Sequence, residues 1–422
     1  MLSQKRKLDY KWVILGVCFL MVFVCLGFCS SNKALYLTAI TKALGIKRSL
    51  FSINDTFRFA ASAVINLFFG SLLYRFGVRK MTAFGFATLI VSMLIYAFAE
   101  SIGVFYIGGA LLGVGLSFTS TTMASSIVRR WFKKDIGKYT GIVFAANGIG
   151  SALATQIASP LINAPGEPFG YRTSYLVVVG VLAVTAIIVV GLLRERPKGE
   201  IITAANLPKA QRRKGDWDGI SYADAKKKPF FYVAAVSVLM TGMILQGITG
   251  VYAAHMEDAG LKAEFIALIV SAFSLMLTVS KVLVGALYDK KGLRWVMIVC
   301  QGAAVVAFFA MVLMDASALG AVLAVVFALC CALALPLETL VVPLIVNDLF
   351  GVASYDKILG IFVALNYTGY ALGSPVMNLC YDAFGSYRPI LLAFSLLMIP
   401  ICAVFQFAIT GARKEKRSVS CD

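Results

Sequence analysis

The sequence predicts an all-α membrane protein: twelve transmembrane helices in two six-helix halves related by pseudo-two-fold symmetry. Three observations lead there. Of 422 residues, 60% are hydrophobic and 14% charged, against roughly half and about a quarter in soluble domains. Twelve mostly apolar runs are each long enough to cross a hydrocarbon core, which takes about 20 residues of helix. Finally, two stretches of the chain recur at nearly constant offset. Soluble α/β enzymes, disordered chains and disulfide-rich secreted modules fit none of these. A β-barrel would show short alternating segments instead, and lipid offers an open backbone no partners.

The runs cover 12–37, 49–73, 80–99, 103–128, 138–163, 171–193, 229–254, 263–287, 293–314, 317–346, 357–380 and 387–411. The breaks between them carry turn and charge signals, among them Phe76-Gly77, Pro165-Gly166, Lys291-Gly292 and Phe384-Gly385. The first run follows Lys5-Arg6-Lys7, as a signal peptide would. It is too long for one, lacks an Ala-x-Ala-type site and precedes eleven more runs, so it reads as an uncleaved first span.

Charge sets the orientation. The net charge is +18 from 39 Lys and Arg. With both termini placed inside, 30 of the 39 fall on inner segments, six on outer ones and three within spans. That asymmetry is the positive-inside pattern, and it predicts a multi-pass protein of the cytoplasmic (plasma) membrane with cytoplasmic N- and C-termini. The basic balance needs no nucleic acid; the partner it implies is the lipid bilayer, whose anionic headgroups the basic segments also meet. The nine cysteines are scattered, mostly in spans, without metal-ligand spacing, and read as small packing residues.

The longest inner segment, 194–228, is polar and basic and lies at mid-chain. It predicts an N-terminal bundle over 1–193, a linker over 194–228 and a C-terminal bundle over 229–422. The halves echo each other. Gly70-Ser-Leu-Leu-Tyr74-Arg75-Phe-Gly77-Val-Arg79-Lys80 follows the second run, and Gly285-Ala-Leu-Tyr-Asp289-Lys290-Lys-Gly292-Leu-Arg294 follows the eighth, at an offset of 215. Gly141, Ile142, Ala145, Asn147, Gly150, Ala152 and Leu153 in the fifth run match Gly360, Ile361, Ala364, Asn366, Gly369, Ala371 and Leu372 in the eleventh, at an offset of 219. Two similar halves around a central linker are a transporter architecture, with the substrate near the midplane between them.

The glycine–arginine turn after the second run resembles the Gly-x-x-x-Asp-Arg-x-Gly-x-Arg-Arg motif of the major facilitator superfamily, and the turn after the eighth repeats it. Its physical content is a tight turn at Gly77 and Gly292 with cations, Arg79 and Arg294, placed to bond helix C-terminal carbonyls and neighbouring acids. The motif's acid is Tyr74 in the first copy and Asp289 in the second. A narrower resemblance follows. Trp131-Phe132-Lys133-Lys134, with Gly141, Ala145, Gly148 and Gly150, is similar to the fifth-span signature of monocarboxylate transporters and bacterial oxalate/formate antiporters. Lys33 resembles their lysine near the outer end of the first span, and Lys281 stands where they carry a carboxylate-holding arginine. The resemblance implies transport of mono- or dicarboxylates. The chain departs from it at Leu277, where monocarboxylate transporters have an acid, at the first span's Lys11-Trp12 opening, and at Asn366, near which the antiporters have a lysine.

Charges inside the bilayer are costly and face a cavity or a partner. Lys281 either anchors an anionic substrate or snorkels inward. Lys33 reads as a second cation or an outer headgroup contact. Asp55 and Arg58, three apart on one helix face, form an intrahelical pair or a gate that exchanges partners. Glu338, beside Pro336, pairs with a cation or carries a proton. Asn147 and Asn366, at equivalent repeat positions, bond substrate or join helices. The only histidine, His255, ends the seventh run, so no histidine-based relay or triad is expected in the core. No P-loop is present, and no metal or cofactor is implied.

The predicted function is secondary active transport of small organic anions, mono- or dicarboxylates, by alternating access in a monomer. It would run as antiport against a counter-anion or as proton symport. Substrate contacts are expected at Lys281, Lys33, Arg58, Asn147 and Asn366. Coupling or gating is expected at Asp55, Glu338, Arg79, Asp289 and Arg294. The alternatives are an exporter of hydrophobic cations, which needs Glu338 or Asp55 unpaired in the cavity, and a non-transporting sensor. An enzyme is not expected, because no nucleophile–base constellation appears.

Overall fold

The computed structural model describes residues 10–30, 33–45, 48–132, 134–162, 169–194 and 219–419. Most of the linker, 195–218, lies outside them, as do Lys5, Arg6, Lys7, Lys47, Lys133, Pro165 and Gly166, and the side chain of Lys33. Among the described residues the chain is helical, with one isolated bridge between Gly219 and Gly351.

The N-terminal half holds span 1 (Tyr10–Gly27, then Lys33–Leu44), span 2 (Arg48–Leu67 and Phe69–Phe76), span 3 (Val78–Phe98), span 4 (Ile102–Thr119 and Thr121–Trp131), span 5 (Ile136–Ile162) and span 6 (Gly170–Leu192). The C-terminal half holds span 7 (Pro229–Asp258), span 8 (Ala263–Lys291), span 9 (Leu293–Leu313), span 10 (Ala318–Ala334, Pro336–Thr339 and Val341–Phe350), span 11 (Tyr355–Phe384) and span 12 (Arg388–Val419). Among the described residues ten helices are long and apolar enough to cross a membrane, and the bent pair of span 2 makes eleven. Span 11 takes the remaining place. Its 30 residues reach ~45 Å at 1.5 Å per residue, but Asn366, Tyr367, Thr368 and Tyr370 dilute its apolar middle.

Four runs read as continuous helices are broken. Span 1 leaves the helix after Gly27, and span 2 bends by 59° at Phe68. Span 4 breaks at Ser120, whose backbone is extended (φ −115°, ψ −150°). Just before it, Ser117 and Thr119 donate to the Gly113 and Gly115 carbonyls at 3.0 and 2.9 Å, a back-bonding that weakens and bends helices. Span 10 breaks at Leu335, ahead of Pro336, which has no N–H to give the preceding turn.

The repeat is visible in the backbone. Gly77 and Gly292 both have φ +80°, a conformation that glycine adopts without strain, and each joins one span directly to the next. Arg79 donates Nε–H to the Val190 carbonyl at 2.8 Å, holding the end of span 6 as the motif predicts. Arg294 is exposed.

The halves meet through spans 2 and 11 and through spans 5 and 8. Glycines let the backbones close. A Cβ on Gly137 would lie 2.5 Å from the Gly285 carbonyl oxygen, one on Gly141 2.5 Å from that of Lys281, one on Gly70 2.4 Å from Lys357 Cα, and one on Gly360 2.3 Å from the Asn66 carbonyl oxygen. These approaches run from the basic end of the bundle toward mid-height. The linker's last residues also dock there: Ile220 N–H donates to the Phe350 carbonyl at 3.0 Å, Tyr222 N–H donates to Ser354 Oγ at 3.0 Å, and Lys357 Nζ lies 4.4 Å from the Tyr222 ring centroid. In the short helix Tyr222–Ala225, hydrogen bonds from Ser221 and Lys227 hold the Asp224 carboxyl below the usual carboxylate range.

Candidate functional site

Spans 5, 8 and 10 meet around Lys281. Its side chain is 5% exposed, and Nζ donates to the Phe144 carbonyl of span 5 at 3.4 Å. The ammonium therefore reaches across the contact between the halves. It neither runs out to lipid nor to the basic end. Its neighbour fixes its height. Pro336 leaves the carbonyl of Ala332 without its helical donor, and Ser280 Oγ donates to that carbonyl at 2.6 Å. The proline of span 10 thus pins span 8 one residue from the cation, as broken membrane helices require of their neighbours.

Glu338 is held from the other side. Asn366 Nδ2 and Tyr370 OH, both on span 11, donate to its backbone carbonyl at 2.8 and 3.2 Å. Its carboxylate is buried, 8% exposed, and lies in the electrostatic field of Lys281. Among the described residues no ion pair within 4 Å joins the two, and Glu338 Oε1 has no hydrogen-bond partner. The pair is near but open. Asn366 donates within the C-terminal half, while its repeat counterpart Asn147 stands half-buried on span 5.

A second charged group sits in the N-terminal half. Arg58, 9% exposed, donates Nη1–H to Ser30 Oγ at 2.7 Å and pairs with Asp55 at 3.5 Å. Its guanidinium carbon lies 4.4 Å from the Phe59 ring centroid. The intrahelical pair foreseen from the spacing is therefore present. A small cavity opens beside it, walled by Tyr36, Tyr96, Tyr175 and Phe51. Between the two charged groups, Phe59 packs on Tyr367 and Tyr370 of span 11, with ring centroids 6.0 and 5.4 Å apart. Helix-period arithmetic does not reveal this aromatic bridge, because its members lie more than 300 residues apart in sequence.

At the basic end, Asp289 accepts from the Gly137 and Lys138 backbone N–H groups at 2.9 and 2.6 Å. Asp356 accepts from Arg130 Nη2 at 2.5 Å and from Ser126 Oγ. Arg129 donates to Asn347 Oδ1, and Asn347 Nδ2 donates to Tyr288 OH at 3.2 Å. Asp289 stands where the motif expects an acid. The Arg130–Asp356 and Arg129–Asn347 partners were not foreseen; a hint lay in Asp356, an acid at the start of span 11, where a helix N-terminus favours one.

Two bundles pressed together along four helices, with charge and aromatic groups buried at their seam and no three-residue metal cluster among the described residues, define a membrane carrier. The profile of the Major Facilitator Superfamily matches residues 17–331 and 234–420, and the chain belongs to that superfamily; it is a transporter and not an enzyme. It is 24% identical over 295 residues, 68% of this chain and 67% of the relative, to the MFS-type transporter YcxA of Bacillus subtilis (strain 168). Among solved structures it resembles the proton:xylose symporter XylE (TM-score 0.75, 13% identity, 95% of this chain and 96% of the other). It also resembles FucP in the outward conformation (TM-score 0.70, 14% identity, 95% and 99%), and the human organic anion transporter MFSD10 (TM-score 0.67, 13% identity, 94% and 100%). At these identities the likeness is one of fold.

Proposed function

We propose that the protein is a secondary active transporter of small organic anions, carrying mono- or dicarboxylates by alternating access between its two halves. The observation behind this reading is the Lys281 ammonium, buried at the seam with, among the described residues, a single long hydrogen bond to a carbonyl. A desolvated cation without a bonded counter-ion is costly, and a carboxylate that visits it removes that cost. Arg58 is the auxiliary cation, and Asn147 and Asn366 are the polar contacts on the two sides of the seam. Lys33 is the outer cation.

The basic end, where span 1 begins and span 12 ends, is the cytoplasmic side by the positive-inside rule, in the plasma membrane. The glycine approaches and the Asp289 and Asp356 bonds then close the inner side. Asp289 and Arg79 act there as gate elements, with Arg294 as the repeat partner of Arg79, while Asp55 exchanges partners with Arg58. The fold neighbours include sugar symporters and an organic anion transporter, so fold does not choose between these cargoes; the buried cation supports the anionic one.

The test is uptake into proteoliposomes of a labelled carboxylate panel, with and without internal counter-substrate and at several pH gradients. Trans-stimulation identifies exchange, and acid-driven accumulation identifies proton symport. In Lys281→Ala, carboxylate uptake should fall to background at normal expression. Uptake unchanged in that variant would overturn the assignment.

A further inference from the structure

We infer that the site selects carboxylates whose neighbouring carbon carries a hydrogen-bond donor, a hydroxyl or an ammonium: hydroxy acids or amino acids rather than plain acids. The inference rests on the organic-anion reading above and narrows it. It comes from an imbalance within the C-terminal half, between span 8 and spans 10 and 11. On span 8 Lys281 offers donors, of which an ammonium has three, and among the described residues it has one acceptor, the Phe144 carbonyl.

Spans 10 and 11 carry acceptors. Among the described residues, Glu338 Oε1 and Asn366 Oδ1 are buried without a donor, and so is the hydroxyl of Thr339 next to Glu338. The side chains of Glu338 and Asn366 are 8% and 4% exposed. Asn366 already gives its amide N–H to the Glu338 backbone at 2.8 Å, so the oxygen is what it has left to offer. A buried acceptor without a donor is expensive, most of all a charged one. A plain carboxylate satisfies Lys281 and brings nothing to Glu338.

The spacing of the two side chains points the same way. Among the described residues no ion pair within 4 Å joins Lys281 to Glu338, and Glu338 Oε1 has no partner. An amino acid answers both groups, with its carboxylate on Lys281 and its ammonium on Glu338. A hydroxy acid does so with its carboxylate on Lys281 and its O–H donated to a Glu338 carboxyl oxygen. The two ends of such a ligand would close the gap that the side chains leave open.

The experiment is equilibrium binding to the purified full chain in lipid nanodiscs, with two matched sets of probes. One set is propionate, lactate and alanine; the other is 3-phenylpropionate, 3-phenyllactate and phenylalanine. In at least one set, the donor-bearing members should bind about tenfold or more tightly than the plain acid, because sites built around unpaired polar groups reject analogues that lack the partner. In Glu338→Leu that ratio should fall below about threefold, and in Glu338→Gln the ammonium advantage should fall further than the hydroxyl advantage. Ratios taken within one variant do not depend on how much of it folds. Equal binding of plain and donor-bearing acids in both sets, or ratios unchanged in both variants, would overturn the inference and leave the organic-anion reading standing. If no probe binds the native protein, both fall.

Discussion

The two seams at the basic end do the same mechanical work with different chemistry. At spans 5 and 8, the acid of the glycine–arginine motif is present. Asp289 caps the N-terminus of span 5 through two backbone N–H groups, a charge-to-dipole contact across the halves. At spans 2 and 11, the equivalent position is Tyr74, which is 83% exposed. The acid there comes instead from the first turn of span 11 itself. Asp356 is taken by Arg130 and Ser126 of span 4. Glycines bring the backbones together at both seams, but one latch is a helix cap and the other an ion pair. The repeat thus preserves where the halves touch and not how the touch is secured. The two latches should therefore respond differently to substitution.

Spin-label distances across each seam, measured in lipid, put this on a scale. The largest effect should come from Gly137→Leu. Its new Cβ would meet the Gly285 carbonyl oxygen at 2.5 Å, and crowding of backbone by side chain costs about 1–3 kcal/mol or more. The seam of spans 5 and 8 should stay open and uptake should drop by about a hundredfold. Asp356→Asn comes next. Its pair with Arg130 is about a quarter exposed on each side, between surface and buried pairs in worth, so about 1–2 kcal/mol and roughly a tenfold shift toward the open seam are expected.

Asp289→Asn should shift its own seam by about three- to fivefold, the range of a helix-terminus charge. A larger response from Asp289→Asn than from Asp356→Asn would break the ranking of cap below ion pair. The smallest effect belongs to Tyr74→Asp, below about twofold alone, because Asp356 already occupies that helix end. Placed on top of Asp356→Asn, it should recover about half the loss. No recovery would show that position 74 does not reach the start of span 11.

Span positions and the glycine turns were readable because each has a local signature: an apolar run of membrane length, and a Gly-x-Arg repeated at fixed offset. The Arg58–Asp55 pair was readable for the same reason, since its members are three apart on one helix. The break in span 4 had a weaker local trace in the polar run Ser117 to Thr122, and the break in span 10 had Pro336. The Arg130–Asp356 ion pair is of another kind. Its partners are 226 residues apart, and only the packing of span 4 against span 11 brings them together. The same holds for Phe59 with Tyr367 and Tyr370. Lys281 stood out as a cation in a span, but not the serine beside it that answers a proline on another helix.

The hydrogen bonds from Ile220 and Tyr222 to Phe350 and Ser354 change where the cord between the two bundles is anchored. Mechanically it ends at Gly219 rather than at the start of span 7, and its knot is tied to the segment that carries Asp356. Tension arriving along the chain from the first bundle would be felt at the start of span 11, beside the Asp356 latch, before span 7 moved.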